Sequence, residues 1–202
     1  MEKIKSKKSP SKSEQILSGA MSEFLNKGYS DTSMDRIAAS VGVSKQTLYS
    51  HFKDKETLFS SLVEHIATQR FKNVFNVRNI QGKPKKVLRN LANTMLNEMM
   101  SEPPEYQAFM RLIISESERF PHLTQVFLRN LALPAHQTLS NYLAVHEELN
   151  LPNTEAVSLI FMGTLVNFML TQNIMHGKEI IPMEAECLID SLIYLILCPS
   201  NS

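Results

Sequence analysis

The sequence predicts an all-α chain in two parts, an N-terminal three-helix helix-turn-helix domain and a larger helical domain. Three observations carry this. Apolar residues recur at helical spacing, as in Ile16, Leu17, Ala20, Phe24 and again in Val87, Leu88, Leu91, Met95. Gly42, Gly82-Lys83-Pro84 and Pro103-Pro104 punctuate those runs where helices should end. The stretch from Thr32 to Leu58 holds two short helices joined by a Gly corner, too short to be stable without neighbours.

Residues 1–12 carry Lys3, Lys5, Lys7, Lys8 and Lys12 among Ser and Pro, with too few apolar residues to fold. They read as a basic flexible tail, either an arm on DNA or a solvated segment. From Ser13, a cap with Glu14 in the first turn, the stripe Ile16, Leu17, Ala20, Met21, Phe24 and Leu25 predicts a helix that Gly28 ends.

The next helix should begin at Thr32, where Thr-Ser-Met-Asp fits a capping box closed by Asp35. Met34, Ile37, Ala38 and Val41 follow on one face. Gly42 suits a left-handed helix end, Val43 restores an apolar contact across the corner, and Ser44 caps the helix that follows. In that helix Leu48 and Phe52 point inward, while Lys45, Gln46, Thr47, Ser50 and His51 lie off the stripe. A short helix with two anchors and a hydrogen-bonding outer face suits a DNA major groove. Asp54 caps a further helix carrying Leu58, Leu62, Val63, Ile66 and Phe71 to about Asn76. Lys55 opposes the dipole of its first turn, which is explained if it faces a phosphate.

Gly28-Tyr29, Thr32-Ser33, Ile37-Ala38, Val41-Gly42-Val43-Ser44, Leu48-Tyr49, His51-Phe52 and Lys55 together resemble the amino-terminal domain of TetR/AcrR transcriptional regulators over roughly residues 13–62. The resemblance implies a homodimeric, all-helical regulator with a DNA-reading head and a ligand-responsive body. It implies DNA contacts from Thr32 and Ser33, from the recognition turn Ser44, Lys45, Gln46 and Thr47, and from Tyr49, His51 and Lys55. The long helix after Asp54 would then carry a signal between head (13–60) and body (61–202).

In the body, Val87, Leu88, Leu91, Met95, Leu96 and Met99 predict a helix closed by Pro103-Pro104. Tyr106 to Phe120 predicts another, with Phe109, Leu112, Ile113 and Ser117 on one face. Pro121 opens a helix towards Leu143 that Pro134 should kink or split. Arg111-Leu112-Ile113-Ile114-Ser115-Glu116 and Arg119-Phe120-Pro121 resemble the AefR-type carboxy-terminal domain. Asn153 or Thr154 caps a helix whose Ala156, Ile160, Phe161, Leu165, Phe168 and Met169 cover most of its circumference. Pro182 opens the last helix, which carries Leu188, Ile189, Leu192, Ile193, Leu195 and Ile196. Helices apolar on both sides need a second partner, and two of them per chain allow a four-helix bundle across a two-fold axis. The dimer candidates are Ile160, Asn167, Leu188, Leu192, Leu195 and Ile196. Eight methionines lie in the body. With them in view, the candidates for holding a largely apolar effector are Met95, Met99, Phe109, Ile113, Glu116, Phe161, Leu165 and Phe168.

The net charge of +1 conceals an asymmetry: residues 1–70 hold 11 basic against 8 acidic groups, net +3, and residues 71–202 hold 10 against 12, net −2. A basic head suits local phosphate binding. Cys187 and Cys198 lie about 16 Å apart on one expected helix and cannot pair. Without a disulfide framework or signal peptide the expected compartment is the cytoplasm. Thr164, Asn167, Thr171, Gln172 and Asn173 interrupt the apolar run from Ser158 to Met175, so no membrane span is expected. His122, His136, His146 and His176 fall in no metal-ligand spacing, no glycine loop cradles phosphate, and Glu116 and Glu118 point to different faces of their helix. Neither an enzyme, a metal site nor a cofactor is expected. The function expected is a ligand-released repressor that binds a palindromic operator as a homodimer. The alternatives are an activator, a regulator sensing through Cys187 or Cys198, and a ligand-binding dimer whose head has lost DNA recognition.

Overall fold

The computed structural model describes residues 11–76, 79–101 and 104–198, and every regular element among them is helical. The basic-tail expectation falls mostly on residues 1–10, outside the described residues. Contacts divide the chain into one unit ending at His65 and another beginning at Ile66.

The first unit holds α1 (Lys12–Asp31), α2 (Met34–Val41), α3 (Lys45–His51) and the start of α4 (Lys55–Val74). Ser11, not Ser13, caps α1. Its hydroxyl accepts from the Glu14 amide at 3.2 Å, and the Glu14 carboxylate accepts from the Ser11 amide at 2.6 Å. Only from the third helical position does a Glu reach back this way. Non-helical backbone at Gly28 interrupts the end of α1. Its residues Ile16, Ala20 and Phe24 are fully buried, and Phe24 packs edge-on against Phe59 of α4 at 4.8 Å between ring centres. Tyr29 closes this aromatic cluster at 4.9 Å from Phe59.

In the second unit α5 (Pro84–Met100) packs on α6 (Glu105–Ser115), α9 (Thr154–Met169) and α10 (Ala185–Leu197). Helix α7 (Pro121–Phe127) adjoins α6, and α8 (Leu133–Ala144) lies along α9. Leu88, Leu91, Phe109, Leu139, Phe161, Leu165 and Ile189 form its closed core.

Several boundaries differ from expectation. α6 stops at Ser115 rather than Phe120, where Ser115 and Ser117 hydroxyls donate to the carbonyls of Leu112 and Ile114 and the chain turns before Pro121. The expected helix is split near Pro134, though not by a loop: Pro134 sits in the first turn of α8, and Leu128–Ala132 just upstream widen into a π turn that divides α7 from α8. The last helix begins at Ala185, three residues after Pro182.

The expectation of no spanning-length helix also needs correction. Thr154–Ile174, which is α9 with a π turn at Leu170–Ile174, is long and apolar enough to cross a membrane by length and composition. Thr164 and Thr171 do not interrupt it, because their hydroxyls donate to the carbonyls of Ile160 and Asn167 one turn back. One face of the helix is core, with Phe161, Leu165 and Met169 fully buried against neighbouring helices. Only 33% of its most apolar window is buried, so much apolar surface is left uncovered.

Candidate nucleic-acid interface and interior cavity

Gly42 adopts φ +69° at the end of α2, and its amide bonds back to Ala38 and Ala39, so the chain reverses into α3 without a bulky residue in a left-handed position. Ser44 then caps α3 by accepting from the Thr47 amide at 3.0 Å, and its hydroxyl lies 2.8 Å from that of Thr47. Leu48 and Phe52 are buried, which turns Lys45, Gln46 and Tyr49 outward on α3. Tyr49 is 51% exposed, a large share for an aromatic side chain. His51 is exposed too, with its ring 6.3 Å from that of Phe52.

Three expected contact residues have geometry the sequence did not suggest. Ser33, not Thr32, is the N-cap of α2, accepting from the Arg36 amide at 3.4 Å. Thr32 is buried, and its hydroxyl donates to the Gly28 carbonyl at 2.7 Å and that of Glu23 at 3.3 Å, which stitches the interrupted end of α1. Lys55 Nζ donates to the carbonyls of Tyr29 at 2.8 Å and Ser30 at 3.1 Å, and lies 4.6 Å from the Tyr29 ring centre. The cation is therefore held at the end of α1. Asp54 accepts from the Thr57 amide at 2.8 Å, a bond that lowers its pKa. Sequence reasoning gave Asp35 a capping role and missed its ion pair: the carboxylate meets Lys45 Nζ at 2.6 Å, both side chains being exposed.

A cavity of about 250 Å³ lies inside the second unit. Met95, Met99, Met110, Phe127, Leu131, Met162, Val166 and Met169 give it an apolar lining, and Arg70, Glu98, Tyr106 and His136 add polar atoms. Of the eight residues expected there, only Met95 and Met99 line it. Phe109, Ile113, Phe161, Leu165 and Phe168 are core side chains, and Glu116 is the C-cap of α6. The π turn at Leu128–Ala132 supplies Leu128, Leu131 and Ala132 to the lining, a register shift with no sequence signal beyond Pro134. Among the six dimer candidates Ile160, Asn167 and Leu195 are exposed, whereas Leu192 and Ile196 are largely buried in their own unit and Leu188 is half-buried. Leu159 and Tyr194 join the exposed set. Cys187 and Cys198 are free and exposed. Among the described residues no group of His, Cys, Asp or Glu could hold a metal ion.

Comparison with known proteins bears on both sites. Residues 16–62 match the bacterial regulatory proteins of the tetR family, and residues 86–198, more than half of the chain, match the AefR-like transcriptional repressor C-terminal domain. The HTH-type transcriptional regulator YerO of Bacillus subtilis (strain 168) is 29% identical over 108 residues, which is 52% of this chain and 36% of that protein. The chain thus spans little more than a third of that relative's length. The flavonoid-responsive regulator FrrA superposes with a TM-score of 0.75 at 24% identity, over 94% of this chain and 98% of that one. The regulator FadR from Bacillus subtilis, solved with stearoyl-CoA, does so with a TM-score of 0.66 at 16% identity, over 91% and 96%. At such identities the likeness is one of fold.

Proposed function

The chain belongs to the TetR family of DNA-binding transcriptional regulators, with an AefR-like repressor domain behind its head and no enzymatic role, and on that premise we propose that it is a ligand-released repressor acting as a homodimer on a palindromic operator. The observation that carries this reading is the outward set Lys45, Gln46 and Tyr49 on a helix anchored from behind by Leu48 and Phe52. A cation, an amide and a phenol on one exposed helix offer donors to base edges and phosphates and little else. Ser33, Ser44, Thr47 and His51 add backbone contacts at its margins, with Thr32 and Lys55 positioning the end of α1 behind them.

Support for the homodimer comes from the uncovered apolar face of α9 and α10, where Leu159, Ile160, Tyr194 and Leu195 are each more than half exposed. Two heads held together in this way would read half-sites about 34 Å apart. The cavity supports an effector of largely apolar character, and the acyl chain bound by FadR is in keeping with it. Release then requires only that the effector bind one of two head spacings more tightly than the other. A cytoplasmic location is part of this reading, since the protein must reach its operator.

The experiment is selection of bound duplexes from a random pool, followed by titration of the best duplex at several salt concentrations. A palindromic consensus bound with steep salt dependence is expected. Weak binding with no consensus would sink the reading.

A further inference from the structure

The polar atoms of the cavity are not equivalent, and their bonding says what they can still offer. Arg70 and Glu98 are closed on each other: Arg70 Nη1 donates to Glu98 Oε2 at 2.6 Å and to the Glu98 carbonyl at 2.7 Å. The other carboxylate oxygen, Oε1, accepts from Asn73 Nδ2 at 3.1 Å. The guanidinium also lies 4.9 Å from the Tyr106 ring centre. That end of the cavity is electrically neutral, and both carboxylate oxygens already accept a hydrogen bond.

His136 and Tyr106 differ. Ser158 is fully buried, and its single hydroxyl proton donates to the His136 carbonyl at 3.1 Å. Both contacts are satisfied at once only in the tautomer whose Nδ1–H donates the 3.2 Å bond to Ser158 Oγ. A neutral imidazole protonated at Nδ1 has an unprotonated Nε2, an acceptor. Burial lowers the His136 pKa and so favours the neutral ring. Tyr106 is buried, and its phenol is pushed up to about 12 by that burial, so it keeps its proton. Neither His136 Nε2 nor the Tyr106 oxygen has a hydrogen-bond partner among the described residues.

We propose that the cavity takes an uncharged, compact apolar molecule bearing a hydroxyl group, which donates to His136 Nε2 and accepts from the Tyr106 phenol. This rests on the cavity being the effector site. The volume sits at the small end for ligand pockets, and the methionine lining adapts to a flat or branched body. An anion is disfavoured, because Glu98 already balances the Arg70 charge and a second carboxylate would add net negative charge to an apolar site.

The test compares three probes of one shape on the full chain, 2-naphthol, 2-methoxynaphthalene and 2-naphthoate, by titration calorimetry. The naphthol should bind about tenfold more tightly than the ether, the worth of one hydrogen bond, and the naphthoate weakest of all. His136→Leu should bring naphthol towards the affinity of the ether while leaving ether binding unchanged, which also shows that this variant folds, whereas Tyr106→Phe should weaken naphthol and ether alike, because the ether oxygen still accepts from the phenol. Equal affinity for naphthol and ether would overturn the polar recognition and leave the cavity as an apolar ligand site. Tightest binding of naphthoate, lost in Arg70→Met, would overturn it in favour of an anion anchored by Arg70. Binding of none of the three would overturn both this assignment and the effector-site reading beneath it.

Discussion

Gly19 lies where α1 and α2 approach most closely: a β-carbon there would fall 2.4 Å from Val41 Cγ2. Gly19→Ala should therefore lower the stability of the head by about 1–3 kcal/mol through overpacking, despite the better helix propensity of Ala. Thermal denaturation checks this, and Val41→Ala in the same chain should restore part of the loss. His136 provides a second prediction, in pH. Its folded-state pKa lies below the ordinary 6.5, so the unfolded chain binds more protons as pH falls through that value. Stability is then complete above 6.5 and is lost below it towards the lower folded value. A melting series from about pH 8 to about pH 5 should show a drop at the acid end that is smaller in His136→Leu. Individual residues were legible in the sequence where bonding is local, as with Ser44 and Asp54 as caps and Gly42 as the left-handed corner. Thr32 and Lys55 were not, because their partners Glu23 and Tyr29 lie 9 and 26 residues away.

Helix α3 has seven residues and owes its orientation to Leu48 alone within its span, so its outer side chains are free to be changed without unfolding it. Lys45→Ala should weaken operator binding and lower the slope of log affinity against log salt by about 1, as expected on loss of one phosphate contact. Asp35→Asn should strengthen binding to unrelated duplexes, because it unpairs the same cation. Filter binding at several salt concentrations measures both; an unchanged slope in Lys45→Ala would place Lys45 on a base edge. Helices with one apolar stripe, such as α1, α2 and α5, could be read from spacing. The ends of α6 and α10 could not, since Ser115, Ser117 and residues near Pro182 look permissive in sequence and are decided by the turns they enter. The π turns at Leu128–Ala132 and Leu170–Ile174 are similarly set by packing and by Pro134, not by any local preference for a wider turn.

The proposed homodimer rests on what the second unit leaves uncovered. Replacing Ile160 and Leu195 together by Asp should give a monomer by sedimentation and abolish tight operator binding, while folding survives because both side chains are exposed in the single chain. The same change at Leu192 or Ile196 should instead destabilise the fold, since burying an unpaired carboxylate is costly. The all-helical plan and the DNA-reading head were visible in sequence because a helix-turn-helix is a contiguous pattern. The cavity was not, because its walls come from six helices and the π turn between α7 and α8, and an apolar lining has the same composition as a core. Phe161 and Met162 are adjacent and both buried, yet one is core and the other lining.

The Asp35–Lys45 pair bears on how such a protein finds its target on a chromosome. An exposed pair of this kind is worth at most about 1 kcal/mol, so it masks a charge without locking it away. Under the proposed DNA reading, random sequence would leave the lysine masked, so that it adds little to the grip, dwell times are short and the search proceeds by frequent hops. At a site where a better acceptor meets Lys45, the pair would open and the sojourn would lengthen. A carboxylate on the neighbouring helix would thus act on the duration of the wrong encounters more than on the strength of the right one.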